Sequence, residues 1–200
     1  MLPDSDDCGS DCTHRRHDLV SQQTDQNLQT ALRKYHKKEV YMITPAEKHD
    51  LPDILNIYQY ARSFMIKSGN PSQWADGYPQ EELLLQDIEN GQLYLCRNSH
   101  AIYGVFAFII GEDETYRRIE NGSWLSDAPY GTIHRIAGNS MKKGILAEAV
   151  SYCESKIPHL RIDTHHDNLI MQHLVIKLGF RKCGTIYVSD GSPRIAFEKI

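Results

Sequence analysis

Apolar residues recur in this chain at two alternating spacings, and the order in which the spacings change predicts the elements. Residues 40–43 read as a short strand. Ile54, Ile57, Tyr58, Ala61, Phe64 and Met65 then fall on one face of a helix with a 3.6-residue repeat. Asp50 offers a cap and Pro52 a first-turn proline for that helix. Residues 68–71 carry stop signals, residues 73–79 read as a loop, and residues 81–88 predict a second helix. Two apolar runs, 93–97 and 102–110, flank a polar turn at 98–100 and predict an antiparallel hairpin. Residues 112–130 are irregular and partly acidic.

From residue 131 the pattern becomes strand, helix, strand, helix. Residues 131–137 predict a strand, followed by a turn at Gly138 and Asn139 and an amphipathic segment from Lys142 to about Lys156. Ile145, Leu146, Ala149, Val150 and Cys153 form its apolar stripe. Residues 160–165 predict the next strand. Asp167 and Asn168 cap a second stripe of Ile170, Met171, Leu174, Val175 and Leu178, which Gly179 terminates. Residues 185–188 and 193–198 close the chain as a hairpin. The order βααβββαβαββ implies an α+β fold, a mixed twisted sheet with helices on both faces. A strand that enters a helix through a glycine-containing loop leaves the first helical N–H groups unpaired, which suits an anion. Two such units side by side offer a crevice for an elongated phosphorylated molecule.

Charge and composition narrow the possibilities. A net charge of −4 argues against a nucleic-acid partner. The longest apolar run, 101–110, is too short to span a bilayer, so no membrane partner is expected. Residues 1–40 are polar and lack a core-forming period, and read as a flexible or loosely docked tail before a domain at 41–200. Within the tail, Leu28, Leu32 and Tyr35 offer only a brief helix, marginal in water. Cys8, Cys12, His14 and His17 invite a zinc site, but one residue separates the pairs where zinc fingers use about a dozen. The cluster Asp163, His165, His166, Asp167 and His173 has no recognised ligand spacing either, so no metal is expected. Five scattered cysteines predict reduced thiols and a cytoplasmic protein.

The element order, together with particular residues, resembles the GNAT superfamily of acyl-CoA-dependent N-acetyltransferases over about residues 41–200. The likeness lies in residues 133–137, Arg161, Ile162, Asp163, Thr164, His165, Asp167, Asn168, Met171, Gln172, Leu178, Gly179, Phe180, Cys183 and Gly184. Gln73, Trp74, Tyr78 and Pro79 fit the same branch of mostly uncharacterised bacterial members. The resemblance implies acetyl-CoA as co-substrate, lying in a splayed gap between the fourth and fifth strands, at 132–137 and 160–164. It also implies direct acetyl transfer to a primary amine of a small molecule or a protein, by a monomer or homodimer.

Several residues acquire candidate roles from that likeness. Backbone N–H groups of Ile136 or Ala137 would polarise the thioester carbonyl. Asn168 would contact the pantetheine arm, besides capping its helix. Lys142, Lys143, Gly144 and Ile145 would line the diphosphate. Yet Met141 stands where the family usually has Arg or Gln, and Leu146 where it has a second small residue. Val175 replaces a tyrosine that many relatives use as the acid. His134 is the candidate base, since imidazole titrates near neutral pH; it reads equally as a strand histidine satisfied by a neighbour or orienting Arg135. Tyr187 is the candidate acid, against a packing role. Trp74, Tyr78 and Trp124 would roof an acceptor pocket or anchor their loops. The two departures also admit a non-catalytic acyl-CoA-binding or sensing module.

Overall fold

The computed structural model describes residues 40–200. The tail expectations at 1–39, including the Cys8/Cys12/His14/His17 cluster and Leu28, Leu32 and Tyr35, lie outside the described residues. The described chain runs β1 (Met42–Pro45), α1 (Leu51–Lys67), α2 (Glu81–Glu89), β2 (Leu93–Arg97), β3 (Ile102–Ile110), β4 (Gly131–Gly138), α3 (Ile145–Glu154), β5 (Leu160–Thr164), α4 (Leu169–Lys177), β6 (Arg181–Tyr187) and β7 (Pro193–Lys199). Short 3₁₀ turns occupy Lys48–Asp50 and Glu114–Tyr116. The predicted α+β order therefore stands.

The seven strands form one sheet in the order β1-β2-β3-β4-β5-β7-β6. Every pairing is antiparallel except β4 with β5. Strand alternation sends Leu93 and Leu95 to the face covered by α1 and α2, and Tyr94 and Cys96 to the face covered by α3 and α4. Because β3 is covered on both faces it reads as a nearly unbroken apolar run, and Tyr103 through Phe108 are all buried. A third cluster of Tyr116, Tyr130, Ile186 and Ala196 pins the 111–130 connection against β6 and β7.

Three local expectations are corrected. Asp50 does not cap α1 with its side chain; its Oδ2 instead accepts the Glu47 N–H at 2.9 Å, closing the preceding 3₁₀ turn. The first strand is displaced two residues, to Met42–Pro45. The helix expected from Lys142 starts at Ile145, because Gly144 adopts φ +84°, a left-handed conformation that interrupts helical winding.

Where α3 meets the sheet, two other glycines matter. A Cβ on Gly138 would lie 2.1 Å from Ile145 Cδ1, and one on Gly104 would lie 2.8 Å from Ile145 Cγ2. Ile145, the first residue of α3, thus seats in a socket made by two strand residues without side chains. That socket fixes where the helix begins relative to β4.

Candidate active site

Strands β4 and β5 pair only at Gly131↔Leu160, Thr132↔Arg161 and Ile133↔Ile162. Both strands continue, β4 to Gly138 and β5 to Thr164, so they part and leave a gap. The parting has a visible cause on β4. Val105 pairs with Ala137 and Ala107 with His134, so Arg135 and Ile136 together oppose Phe106. This bulge puts Arg135 at φ +51°, an unfavourable conformation for a non-glycine residue. Arg135 is held there from both ends. Its guanidinium donates twice to Asp87 Oδ2, at 3.1 and 2.7 Å, and its carbonyl accepts the Tyr58 hydroxyl at 2.9 Å. Burial raises the Asp87 carboxyl pKa even against the opposing Arg135 charge.

Past the bulge, Asn139 N–H donates to Tyr103 O at 3.1 Å on β3. Alternation then directs the Ala137 N–H to β3 as well, and the Gly138 N–H away from it, toward the gap. Of the two expected carbonyl-polarising donors, Ala137 faces the neighbouring strand, and Ile136 belongs to the bulge itself.

His134 lies at the lip of the gap, mostly buried, with Nε2 at 2.7 Å from Asp113 Oδ2. Asp113 is itself anchored: its Oδ1 accepts the Thr115 N–H at 2.9 Å, and its own N–H donates to the Tyr130 hydroxyl at 3.2 Å. Burial works to raise the Asp113 pKa, but the hydrogen bond and charge of His134 outweigh it and hold the carboxyl below its ordinary range. The His134 ring meets Tyr116 edge-on at 5.7 Å. Tyr116 donates to Asp163 Oδ1 at 2.6 Å, on the opposite wall of the gap. Both sequence readings of His134 are compatible with this placement: a neighbour satisfies one ring nitrogen, and Nδ1 remains to accept a proton when Nε2 carries one.

The expected cofactor residues divide. Gly144 precedes α3, and the first intrahelical bond runs from Glu148 N–H to Gly144 O at 3.1 Å, so the N–H groups of Ile145, Leu146 and Ala147 have no intrahelical acceptor. Lys142 is tied to Glu148 and lies 3.5 Å above the Tyr41 ring, so its charge is balanced within the chain. Lys143 is exposed. Asn168 caps α4, its side chain accepting the Met171 N–H at 3.1 Å. Leu146 and Val175, at the two departures from the family pattern, are buried core residues.

Nothing in the free protein lies within 4 Å of a Cβ placed on Gly144. Gly144→Ala is therefore expected to lower stability only by left-handed strain, about 1–2 kcal/mol. Any further loss of acetyl-CoA affinity, read by calorimetry beside a melting curve, would report a ligand against that backbone.

Tyr187 is on the edge strand β6, separated from β5 by β7. Its exposed hydroxyl donates to Glu120 Oε2 at 3.0 Å, which raises the phenol pKa. The structure does not bring it beside His134. Trp74 packs edge-on to Tyr58, and Trp124 stacks on Tyr116 and donates to its carbonyl at 3.0 Å. Both tryptophans thus anchor their loops near the gap. Ligand atoms of His165, His166 and Asp167 lie within 4.8 Å of one another, but His165 Nδ1 already accepts the Asp167 N–H at 3.3 Å. Sequence reasoning missed Asp113 and Tyr116, because each sits in an irregular connection where no period marks it, and it gave Gln73 no role beyond the resemblance.

No protein-family model matches the chain, and neither does any curated protein. Solved structures do match. A GNAT family acetyltransferase from Streptococcus agalactiae is 33% identical with a TM-score of 0.70, over 80% of this chain and 95% of that one. The chain belongs to the GNAT acetyltransferase family. Acyl transfer is the chemistry of that family, and the gap between β4 and β5 is where this member's geometry converges. GNAT family acetyltransferases from Listeria monocytogenes (18% identical, TM-score 0.61, 81% of this chain and 99% of that one) and Bacillus cereus (20%, 0.52, 80% and 96%) share the fold.

Proposed function

We propose that this protein transfers an acetyl group from acetyl-CoA directly to a primary amine of a small molecule or a protein. The observation that carries the reading is the parted β4–β5 pair with a carboxylate-held histidine at its lip. The residues present suit the co-substrate. The Gly138 N–H faces the gap and the bulged Ile136 N–H is offered for the carbonyl, while Asn168 caps the helix that follows β5. The open N-terminus of α3, with Lys143 beside it, suits the diphosphate. When bound, acetyl-CoA supplies an activated carbonyl; the chain's own work is to orient it and to move protons.

His134 takes a proton from the acceptor nitrogen, and Asp113 stabilises the imidazolium that results. The amine attacks the carbonyl, whose developing charge the Ile136 N–H stabilises. As the C–S bond breaks, the sulfur receives a proton and coenzyme A leaves as the thiol. Tyr187 keeps its proton on Glu120 at the sheet edge, so the imidazolium of His134 is assigned as the proton source.

Direct transfer fits the thiols too. Burial pushes the Cys96 thiol up to about 12 and Cys183 to about 11, and raises Cys153 as well. None of these described cysteines is a thiolate nucleophile at neutral pH.

The test is release of coenzyme A thiol from acetyl-CoA across a panel of amines and N-terminal peptides. Tight acetyl-CoA binding with no turnover on any of them would favour the second reading, an acyl-CoA-binding module, to which Met141, Leu146 and Val175 lend support. Lys143→Ala is expected to weaken acetyl-CoA binding more at low than at high salt, whereas Lys142→Ala acts mainly on stability because it leaves Glu148 with only the Tyr103 hydroxyl. Equal salt-independent effects from both would remove the loop from the site.

A further inference from the structure

Three side-chain amides link the gap to the loop after α1, and their orientation is fixed from one end. Met171 N–H can only donate, so Asn168 must turn Oδ1 toward it, at 3.1 Å. Its Nδ2 then donates to Gln73 Oε1 at 2.9 Å. Gln73 is thereby bound to present oxygen, and Asn70 answers with Nδ2, 2.9 Å from the same atom. The Thr164 hydroxyl donates to it as well, at 3.4 Å. A carbonyl oxygen has two lone pairs, so three donors overfill it. At the end of the chain Asn70, 2% exposed, keeps a buried Oδ1 with no partner among the described residues. That acceptor calls for a donor which the described residues do not supply.

The placement of Gln73 shows what the arrangement joins. Thr164 ends β5, one wall of the gap, and Asn168 caps α4. Trp74, the next residue, packs on Tyr58, whose hydroxyl holds the bulge carbonyl of Arg135 on the other wall. Gln73 and Trp74 therefore tie the loop at 68–80 to both walls, the Gln73 amide oxygen on the β5–α4 side and the Trp74 ring, through Tyr58, on the β4 side.

We infer that Gln73 is a positioning residue that sets the Asn168 amide and couples occupancy of the gap by the pantetheine arm to ordering of the 68–80 loop. The inference rests on the acetyl-CoA reading above. Coupling of this kind is reciprocal: the arm orders the loop, and an ordered loop tightens the arm.

The experiment titrates coenzyme A into the full chain and into Gln73→Leu and Gln73→Glu by calorimetry, with hydrogen exchange followed over residues 68–80. Wild type is expected to bind and to gain protection in the loop. Gln73→Leu, which offers no acceptor, is expected to bind about tenfold more weakly and to lose the gain. Gln73→Glu keeps an acceptor and adds charge to it, so its loop is expected to be protected before ligand is added and its affinity to be at least that of wild type. That variant also stands alone if Gln73→Leu does not fold. Wild-type affinity and loop protection in both variants would overturn the coupling while leaving the acetyl-CoA reading intact. No binding by wild type would overturn both.

Discussion

His134→Ala is expected to lower kcat/KM for acetyl transfer by about 10²–10⁴, the usual worth of a positioned general base, while acetyl-CoA affinity stays near that of wild type. The separation follows from geometry. His134 is on the lip of the gap with Nε2 engaged by Asp113, and the groups assigned to the cofactor lie on Ile136, Gly138, the α3 N-terminus and Asn168. Asp113→Asn is expected to lose less, since the amide keeps a hydrogen bond but cannot balance the imidazolium. Steady-state rates beside a calorimetric titration check both; unaltered turnover in His134→Ala would remove the base. The pair also contributes to stability. The Asp113 pKa is lowered in the fold, so this contribution is present above the unfolded carboxylate value of about 3.9 and is lost as pH falls through the lower folded value.

The second large effect is on stability. Glu198, fully buried on β7, accepts from His159 Nε2 at 2.6 Å, from Arg161 Nε at 2.8 Å and from the Leu125 N–H. Arg161 in turn lies 4.0 Å from the Trp124 ring centre and 3.8 Å from that of Tyr130. Glu198→Leu would leave a buried guanidinium uncompensated, which costs about 3–5 kcal/mol. At about 2–4 °C per kcal/mol for a domain of this size, the melting temperature should drop by roughly 6–20 °C. Burial alone would raise the Glu198 pKa, but its three donors lower it. Its contribution therefore holds above the unfolded glutamate value of about 4.3 and disappears as pH falls through the folded value. Denaturant unfolding of wild type and variant at pH 7 and pH 3 should show the gap between them narrowing in acid. A melting temperature within a degree or two of wild type would mean the network is not carrying the 111–130 connection.

Most of the fold was legible because period and burial coincide. The β3 run, the α3 stripe and the Gly179 stop each state in sequence what they do in space. The candidate site was less legible because its geometry depends on contacts between distant residues. Arg135 carries no sign that it will sit at φ +51°, since the bulge is held by Tyr58 and Asp87, 77 and 48 residues away. Asp113 is 21 residues from His134, inside a stretch with no regular element beyond one 3₁₀ turn. Lys142 looked free for a phosphate because its partner Glu148 is six positions on, beyond the three- or four-residue spacing of helix pairs.

The seat of Ile145 against Gly104 and Gly138 has a thermodynamic consequence. The α3 N-terminus and the gap-facing edge of β4 are joined without an intervening flexible side chain, so they are one preorganised surface before any ligand arrives. On the proposed acetyl-CoA reading, a diphosphate and the carbonyl attached to it by a long arm would meet donors whose entropy was already lost during folding of the chain. Gly138→Ala, by forcing Ile145 out of its socket, should reveal this as a more unfavourable binding entropy, with donor groups chemically unchanged.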